Sequence, residues 1–291
     1  MRYIVFLLTV IIFVLVNSIS AQDTTISWKR SADNNVPEEL HLFRSTQSFS
    51  LPTAEMLQGG DFEFEISHRF VPSVKTGLKR LFGIDGPVNM RLALGYALTD
   101  NLAITLARSN VYDNVDLWLK YKLLQIPNNY FPIATALRAG AALNTLVFEQ
   151  TNGSERSSGD HRNFQYYAQL VINGMIEKRL GIGIVPSYLY NSDIYSSDRQ
   201  YSFTLGTNVE YYFSKLLGVI FEWNPTISGF RSQYNPLAFG IELNTGGHFF
   251  KIMMTNSALL NPSQFLAGEN DYSASSGNWR LGFNITRLLK F

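Results

Sequence analysis

The sequence has 291 residues and an almost balanced charge, with 24 Lys and Arg against 23 Asp and Glu. Charged residues make up 16% of the chain, whereas aromatic residues reach 14%, mostly as 21 Phe and 15 Tyr. The lack of a basic excess argues against a nucleic-acid-binding protein. The absence of cysteine excludes disulfides, cysteine-ligated metals and a lipid anchor on cysteine.

The first 21 residues have the pattern of a secretory signal peptide. Arg2 precedes an apolar run from Ile4 to Val16, and small residues lead to a predicted cleavage site after Ala21. The alternative is an uncleaved membrane anchor, but the run is shorter than the roughly 20 apolar residues that a span needs. No later stretch is long and apolar enough for a transmembrane helix. The sequence therefore predicts export, and any membrane crossing must use strands.

Apolar and polar residues alternate along almost all of the remaining chain. In Gly60–Val71, for example, Phe62, Phe64 and Ile66 share one face, which indicates a strand with one apolar face. The same alternation predicts about twelve strands, many of them near the 9–11 residues that cross a bilayer. The predicted strands are Gly60–Val71, Val88–Leu98, Leu102–Val111, Val115–Gln125, Ile133–Asn144, Asn163–Ile176, Leu180–Tyr190, Gln200–Phe213, Leu217–Trp223, Pro236–Asn244, His248–Asn256 and Asn278–Phe291.

The connections between these strands mostly alternate between long and short, which is typical of outer-membrane barrels. The short 112–114 loop and the longer 126–132 turn break the alternation. Aromatic residues such as Tyr96 and Tyr190 gather near strand ends, while Leu, Ile and Val occupy strand centres. Two aromatic girdles around an aliphatic band favour a lipid-embedded barrel over a soluble β-sandwich.

The last strand resembles the signal that the outer-membrane barrel assembly machinery recognises. Its outward face is predicted to carry Phe283, Ile285, Leu289 and the terminal Phe291. Arg287 interrupts this face.

Four segments resemble a known family: LFRSTQSFSLPTAEML at 42–57, GDFEFEISHRF at 60–70, GIDGPVNMRLALGYALTDNLAITLARSN at 83–110 and DLWLKYKLLQ at 116–125. The family consists of outer-membrane β-barrel proteins of Gram-negative bacteria that carry a domain of unknown function. The resemblance implies a barrel in the outer membrane, surrounded by lipid. It implies no activity and no catalytic residues.

The polar faces of the strands would then line the lumen. Small residues lie between the charged ones, so the lumen is expected either to hold a water-filled pore or to be closed by ion pairs. The predicted lumen-lining residues are Glu63, Glu65, Arg69, Arg91, Asp116, Lys120, Lys122, Arg138, Glu210, Glu222, Glu242, Lys251 and Arg280.

Residues 22–59 precede the barrel and are predicted to form a periplasmic segment. We expect 40–58 either to plug the lumen, with Phe49 apolar and Arg44 and Glu55 meeting inward charges, or to pack beneath the barrel. Pro52 predicts the start of a helical turn that ends before Gly59.

The sequence thus predicts an all-β protein: a transmembrane antiparallel β-barrel of about twelve strands over 60–291, behind a signal peptide (1–21) and an N-terminal periplasmic segment (22–59). The leading function is a narrow passive pore for small hydrophilic solutes. One alternative is a structural or partner-binding barrel that acts through loops 145–162 and 257–277. A remote one is a lipid-active enzyme using His68. No catalytic, cofactor or metal site is predicted, because the four histidines are dispersed and no G-x-S-x-G motif occurs.

Overall fold

The strands form a single antiparallel sheet that closes on itself. The structure is a computed structural model that describes residues 39–147 and 153–290. The predicted signal peptide (1–21), residues 22–38 of the N-terminal segment and Phe291 lie outside the described residues. The strands are β1 Phe62–Phe70, β2 Val88–Thr99, β3 Leu102–Ser109, β4 Asn114–Ile126, β5 Ile133–Asn144, β6 Phe164–Ile176, β7 Leu180–Tyr190, β8 Tyr201–Tyr212, β9 Leu217–Trp223, β10 Thr226–Gly229, β11 Leu237–Asn244, β12 His248–Thr255 and β13 Arg280–Leu289.

Closure joins the first strand to the last. On β1, Ile66 pairs with Leu92 of β2 on one side and with Ile285 of β13 on the other. Twelve strands form the ring in the order β1 to β9 and then β11 to β13, while β10 pairs only with β8. The predicted antiparallel barrel of about twelve strands is confirmed.

The extra strand β10 is a continuation of β9 that the alternation did not reveal. Asn224 and Pro225 separate the two strands, and both pair with β8. Pro225 has no N–H, but its carbonyl accepts a hydrogen bond from Leu205 N at 2.9 Å. The pairing with β8 therefore continues past Pro225 into β10, whose sequence shows no alternation of apolar residues.

Long connections lie at one end of the barrel, called here the long-loop end, and short ones at the other, the short-turn end. The long-loop end carries the connections 71–87, 110–113, 145–163, 191–200, 230–236 and 256–279. The loop 256–279 contains a four-residue helix, α1 (Pro262–Phe265), and the loop 110–113 contains a 3₁₀ turn, Val111–Asp113. None of the described helices is long and apolar enough to cross a membrane.

The outward face of the barrel is an apolar band between two groups of aromatic rings. At the short-turn end, Phe62 packs on Tyr96 with ring centroids 4.5 Å apart. At the long-loop end, the Tyr188 and Tyr201 rings stack at 6.0 Å. Leucines such as Leu94 lie between the two groups, exposed over about half of their surface. Such a band is stable only against lipid.

We expect Leu94→Arg to destabilise the barrel by about 2–4 kcal/mol, because Leu94 lies near the centre of β2 and the substitution places a charge in the hydrocarbon. Leu98→Arg is the matched control. It lies on the same face of the same strand, equally exposed but close to the short-turn end, and it should cost no more than about 1 kcal/mol. Denaturant unfolding of the protein folded in lipid vesicles measures both. Equal destabilisation by the two substitutions would contradict the position of the apolar band around the strand centres.

Candidate functional site: the barrel lumen

The inward face of the barrel carries its charged side chains. All thirteen residues predicted to line the lumen lie on this face: Glu63, Glu65, Arg69, Arg91, Asp116, Lys120, Lys122, Arg138, Glu210, Glu222, Glu242, Lys251 and Arg280. All except Glu63, which is partly exposed, are buried. A buried charge is unfavourable unless it is paired and hydrogen-bonded, so the partners of these groups determine what the lumen can do.

Several bases find their partners on the wall itself. Arg91 lies 2.6 Å from the Glu65 carboxylate, whereas Arg138 donates two hydrogen bonds to Gln169, at 2.8 and 2.5 Å. The inward Trp118 ring lies beneath both guanidinium groups, with its centroid 6.0 Å from Arg91 and 5.5 Å from Arg138. The wall therefore carries inward arginines on β1, β2 and β5, and not every one of them is paired with a carboxylate.

Other wall bases pair with residues outside the barrel strands. Lys122 forms an ion pair with Glu39, and Arg280 with Asp271 of the loop 256–279. Arg69, by contrast, has its partner on the wall: it donates to Asn284 of the adjacent strand β13 at 2.8 Å.

Like Glu39, further partners belong to residues 39–59, the described part of the N-terminal segment, which lies inside the barrel. Its centre folds back on itself, and Gln47 and Pro52 form an antiparallel β-bridge. Within this turn Ser48 N donates to Leu51 O at 2.9 Å, and Thr53 N donates to Thr46 O at 3.1 Å. The helical turn expected after Pro52 is wrong: residues 52–58 form no helix, and Ala54 N donates to Asn173 Oδ1 of the wall at 2.5 Å instead.

Glu222 of β9 holds the tip of this turn. Its carboxylate accepts hydrogen bonds from the backbone N–H groups of Phe49, Ser50 and Leu51, at 3.0, 2.9 and 2.9 Å. Three donors on one carboxylate form a compact anion-binding turn, and each bond is charge-assisted. Glu222 is thus the principal anchor for the tip of the segment.

Lysines hold the two flanks of the segment. Lys251 of β12 donates to Ser45 Oγ at 2.6 Å and to Ser48 O at 2.9 Å, and it lies 3.4 Å from Glu242. Lys120 of β4 donates to the carbonyls of Thr46 and Glu55, at 3.0 and 2.5 Å. Each ammonium group therefore bridges the wall to backbone oxygens of the segment.

Small wall residues make room for the apolar side chains of the segment. A Cβ at Gly181 would lie 2.9 Å from Phe43, and one at Gly206 would lie 2.7 Å from Leu51. Phe43 and Leu51 join a buried apolar cluster that also contains Phe265 of α1. The inward glycines thus leave space that the segment occupies rather than open water.

The three residues singled out in the segment have different surroundings. Arg44 lies 4.0 Å from the Glu242 carboxylate and 4.0 Å above the Tyr212 ring. Phe49 is buried and its carbonyl accepts from Asn284 at 2.8 Å. The Glu55 carboxylate, however, bonds within its own segment rather than to a wall charge, because the N–H groups of residues 42 and 43 reach it at 2.6 and 2.9 Å.

A second insertion enters from the long-loop end. Residues 258–266 of the loop 256–279 turn inward and are mostly buried, and α1 lies among them. Asp116 of β4 receives the Ser263 hydroxyl at 3.0 Å and the Tyr167 hydroxyl at 2.7 Å. Gln165 Nε2 donates to Ser263 O at 3.2 Å. The insertion is therefore fixed to the wall by specific polar contacts.

Small cavities remain between the two insertions and the wall. A cavity of about 40 Å³ remains among residues that include Glu63, Trp118 and Lys120, and one of about 10 Å³ lies beside Glu222 and Phe265. In this conformation the lumen is closed by the N-terminal segment at the short-turn end and by the loop insertion at the long-loop end.

Sequence reasoning missed the uncharged amides of the wall and the inward course of 258–266. Asn173 and Asn208 bond to the N-terminal segment, through Ala54 N at 2.5 Å and through the Ser48 hydroxyl. The run of apolar residues at 258–260 and 265–266, around an Asn261–Gln264 capping box, is the signal that marks this part of an otherwise polar loop as buried.

The outward His68, considered for lipid chemistry, packs against the Phe283 ring with centroids 4.5 Å apart. Its neighbour Ser67 points inward and donates to Glu65. The two side chains therefore lie on opposite faces of the sheet.

An apolar outer band, a charged interior and a closed ring define the protein as a membrane β-barrel of the outer-membrane class. The chain belongs to the family described as a membrane-bound β-barrel domain (DUF5777), whose model matches residues 43–289. The resemblance stated from the sequence is confirmed, as is the outer-membrane location. The matched region begins inside the N-terminal segment, so most of residues 39–59 are part of the family domain.

Similar solved structures include the KdgM porin, with 10% identity, a TM-score of 0.42 and coverage of 79% of this chain and 99% of that chain. The NanC porin has 10% identity, a TM-score of 0.44 and coverage of 79% and 100%. An outer membrane channel from Pseudomonas putida F1 has 11% identity, a TM-score of 0.43 and coverage of 81% and 98%. No curated protein matches the chain significantly.

We expect Glu222→Gln to loosen the tip of the N-terminal segment, because an amide offers one acceptor oxygen and adds donors that oppose three N–H groups. Charge-assisted hydrogen bonds contribute about 1.5–3 kcal/mol each, so amide exchange at Phe49–Leu51 should accelerate about 10- to 100-fold. Hydrogen–deuterium exchange of the protein in detergent measures this rate. Glu177→Gln, in an exposed turn, is the control, and equal exchange in both variants would refute the anchor.

The Glu55 carboxylate accepts a hydrogen bond from His41 at 2.9 Å and so raises the pKa of His41 above 6.5, against partial burial. A raised pKa means that this contact stabilises the segment when the ring is protonated and weakens as the pH rises through the raised value. An NMR titration of His41 should show its midpoint fall in Glu55→Gln and change far less in Glu39→Gln, whose carboxylate is 4.0 Å away. Equal shifts in the two variants would contradict this cause.

Proposed function

We propose that the protein is a gated outer-membrane channel for small hydrophilic solutes, closed in this conformation by its N-terminal segment. One observation carries the proposal: the described part of the segment, 39–59, lies within the barrel but contributes no strand to the ring. Its withdrawal would break no strand pairing and would leave all twelve strands closed. The bonds lost would be side-chain contacts such as those of Glu222 and Lys251, which water can replace.

The wall exposed by withdrawal supports a path for polar solutes. Glu210, Glu222 and Glu242 lie on β8, β9 and β11, whereas basic residues such as Arg69 and Arg138 lie on β1 to β5. Both signs of charge are present, so neither cations nor anions would be excluded outright. Twelve strands enclose less space than the sixteen to eighteen of wide porins, which favours small solutes.

The final strand supports assembly by the barrel assembly machinery. Phe283, Ile285 and Leu289 alternate with the buried Gly282, Asn284 and Thr286, so they share the lipid-facing side of β13. An alternating apolar strand at the chain end has the pattern of the predicted assembly signal, of which Phe291 lies outside the described residues. The signal peptide at 1–21 would deliver the chain to the periplasm for this step.

Single-channel conductance in planar bilayers tests the channel directly. The chain lacking 40–58 should conduct in long open periods, whereas the full chain should be closed for most of the recording, because the deletion removes the hydrogen bonds that join Glu222 and Lys251 to the segment. A second deletion that also removes 258–266 separates the two insertions. If neither deletion raises the conductance above that of the full chain, the channel proposal fails.

A reversible lock tests gating without a deletion. Asn208 of β8 donates a hydrogen bond to Ser48 of the segment, and the natural chain has no cysteine. In Ser48→Cys/Asn208→Cys, a short bifunctional methanethiosulfonate should link the segment to β8 and abolish openings, and reduction should restore them. Single-cysteine Ser48→Cys is the control for the reagent. Openings that persist in the linked protein would show that the segment is not the gate.

A further inference from the structure

A cavity of about 300 Å³ lies among the loops at the long-loop end, outside the closed lumen. It is called here the mouth pocket. This volume is within the range of small-molecule sites, which begins at about 300 Å³. Its walls come from four connections and the start of β6, and the lining includes Tyr112, Ser192, Asp193, Tyr195, Phe230 and Gln264.

We propose that the mouth pocket binds a neutral saccharide of one or two rings. Sugar binding would not depend on whether the barrel conducts, because the pocket lies on the outer side of the loop insertion 258–266. Three features of the pocket support it: its aromatic rings, an unsatisfied buried hydroxyl and its charge.

Aromatic rings form one side of the pocket. The rings of Tyr112 and Tyr195 meet edge to face with centroids 5.9 Å apart, and Phe230 lines the same cavity. Tyr195 remains 60% exposed, so the pair presents ring surface to a ligand rather than to the protein core. The weakly polar C–H face of a sugar ring packs on such surfaces, as other amphipathic ligands do.

The Tyr112 backbone is held in an unusual conformation at the pocket. Its φ is 55° and its ψ is 18°, a left-handed geometry that is uncommon for a residue with a side chain. Gln264 of α1 donates to the neighbouring Val111 carbonyl at 2.7 Å and so ties this turn to the loop insertion. The surrounding structure thus fixes the position of the Tyr112 ring.

Ser192 provides a hydroxyl without a partner. The residue is 4% exposed and lines the pocket, but its Oγ forms no hydrogen bond with any residue that the structure describes. A buried polar group left unpaired is unfavourable, and such groups are few in native proteins. A sugar hydroxyl can both donate to and accept from a serine hydroxyl, so it would satisfy this atom.

The charge of the pocket selects against acidic ligands. Among the described residues that line it, Asp193 carries the sole charged side chain, and no Lys, Arg or His is present. Serine, tyrosine and amide groups supply the remaining polar contacts. The Asp193 carboxylate can accept hydrogen bonds from sugar hydroxyls, but it repels the negative charge of a uronic acid. The pocket therefore suits a neutral sugar.

Saturation-transfer NMR on the full chain in a detergent without a sugar headgroup, such as lauryldimethylamine oxide, tests the proposal. Glucose, galactose, N-acetylglucosamine and maltose serve as neutral probes, and glucuronate is the acidic match to glucose. At least one neutral probe should bind, and glucuronate should bind at least tenfold more weakly than that probe. Absence of binding by all four neutral probes, or equal binding of glucuronate, would overturn the proposal.

Two variants place the binding in the mouth pocket. Tyr195→Ala removes ring surface and should weaken binding about tenfold. Ser192→Ala should weaken it severalfold while leaving the thermal unfolding temperature unchanged, because the hydroxyl has no partner among the described residues 39–147 and 153–290. Tyr130→Ala, an 87% exposed tyrosine in the turn 127–132 at the opposite end, is the control. Binding that survives both pocket variants would assign the sugar to another site and refute the proposal.

Discussion

The hydrocarbon of a bilayer offers no hydrogen-bond partner to a peptide group, and this constraint determines the architecture. An open sheet would leave a row of unpaired N–H and C=O groups at each edge, each costing several kcal/mol. The pairing of β1 with β13, from Phe62 opposite Leu289 to Arg69 opposite Gly282, removes both edges. Once the ring is closed, the two-residue period of each strand sends one set of side chains to lipid and the other to the lumen.

Closure creates a second requirement inside the barrel. The inward side chains include carboxylates, guanidinium groups and ammonium groups that are almost fully buried, and these need partners as much as the backbone does. The wall supplies some of them, such as Gln169 for Arg138. The chain itself supplies many of the others by folding two insertions inward: backbone N–H groups of the N-terminal segment bind Glu222, and Ser263 of the loop insertion binds Asp116. The closed lumen therefore follows from satisfying the wall, and any opening must exchange these contacts for water.

Sequence periodicity identified the candidate site only in part. The inward placement of residues such as Lys120 and Glu242 follows from their position in an alternating strand, a local property. Which group each of them binds does not, because the partners are far away along the chain: Glu222 and the tip at residues 49–51 are more than 170 residues apart. The inward course of 258–266 and the mouth pocket also depend on the spatial arrangement of loops. The helical turn after Pro52 was wrong because local preference favoured it, whereas the backbone there bonds to distant groups: Pro52 bridges to Gln47, and Ala54 N donates to Asn173 of the wall.

The sequence by itself determined the class of protein. Alternation, strand length, connection lengths and the distribution of aromatic residues depend on the bilayer and on strand geometry, which are the same for every strand. Only the tertiary structure decided that the lumen is closed, which residues close it, that β10 continues β9 beyond Pro225, and that Ser192 and Tyr195 share a pocket. These features arise where distant segments meet, and a pattern that repeats every two residues carries no information about such meetings.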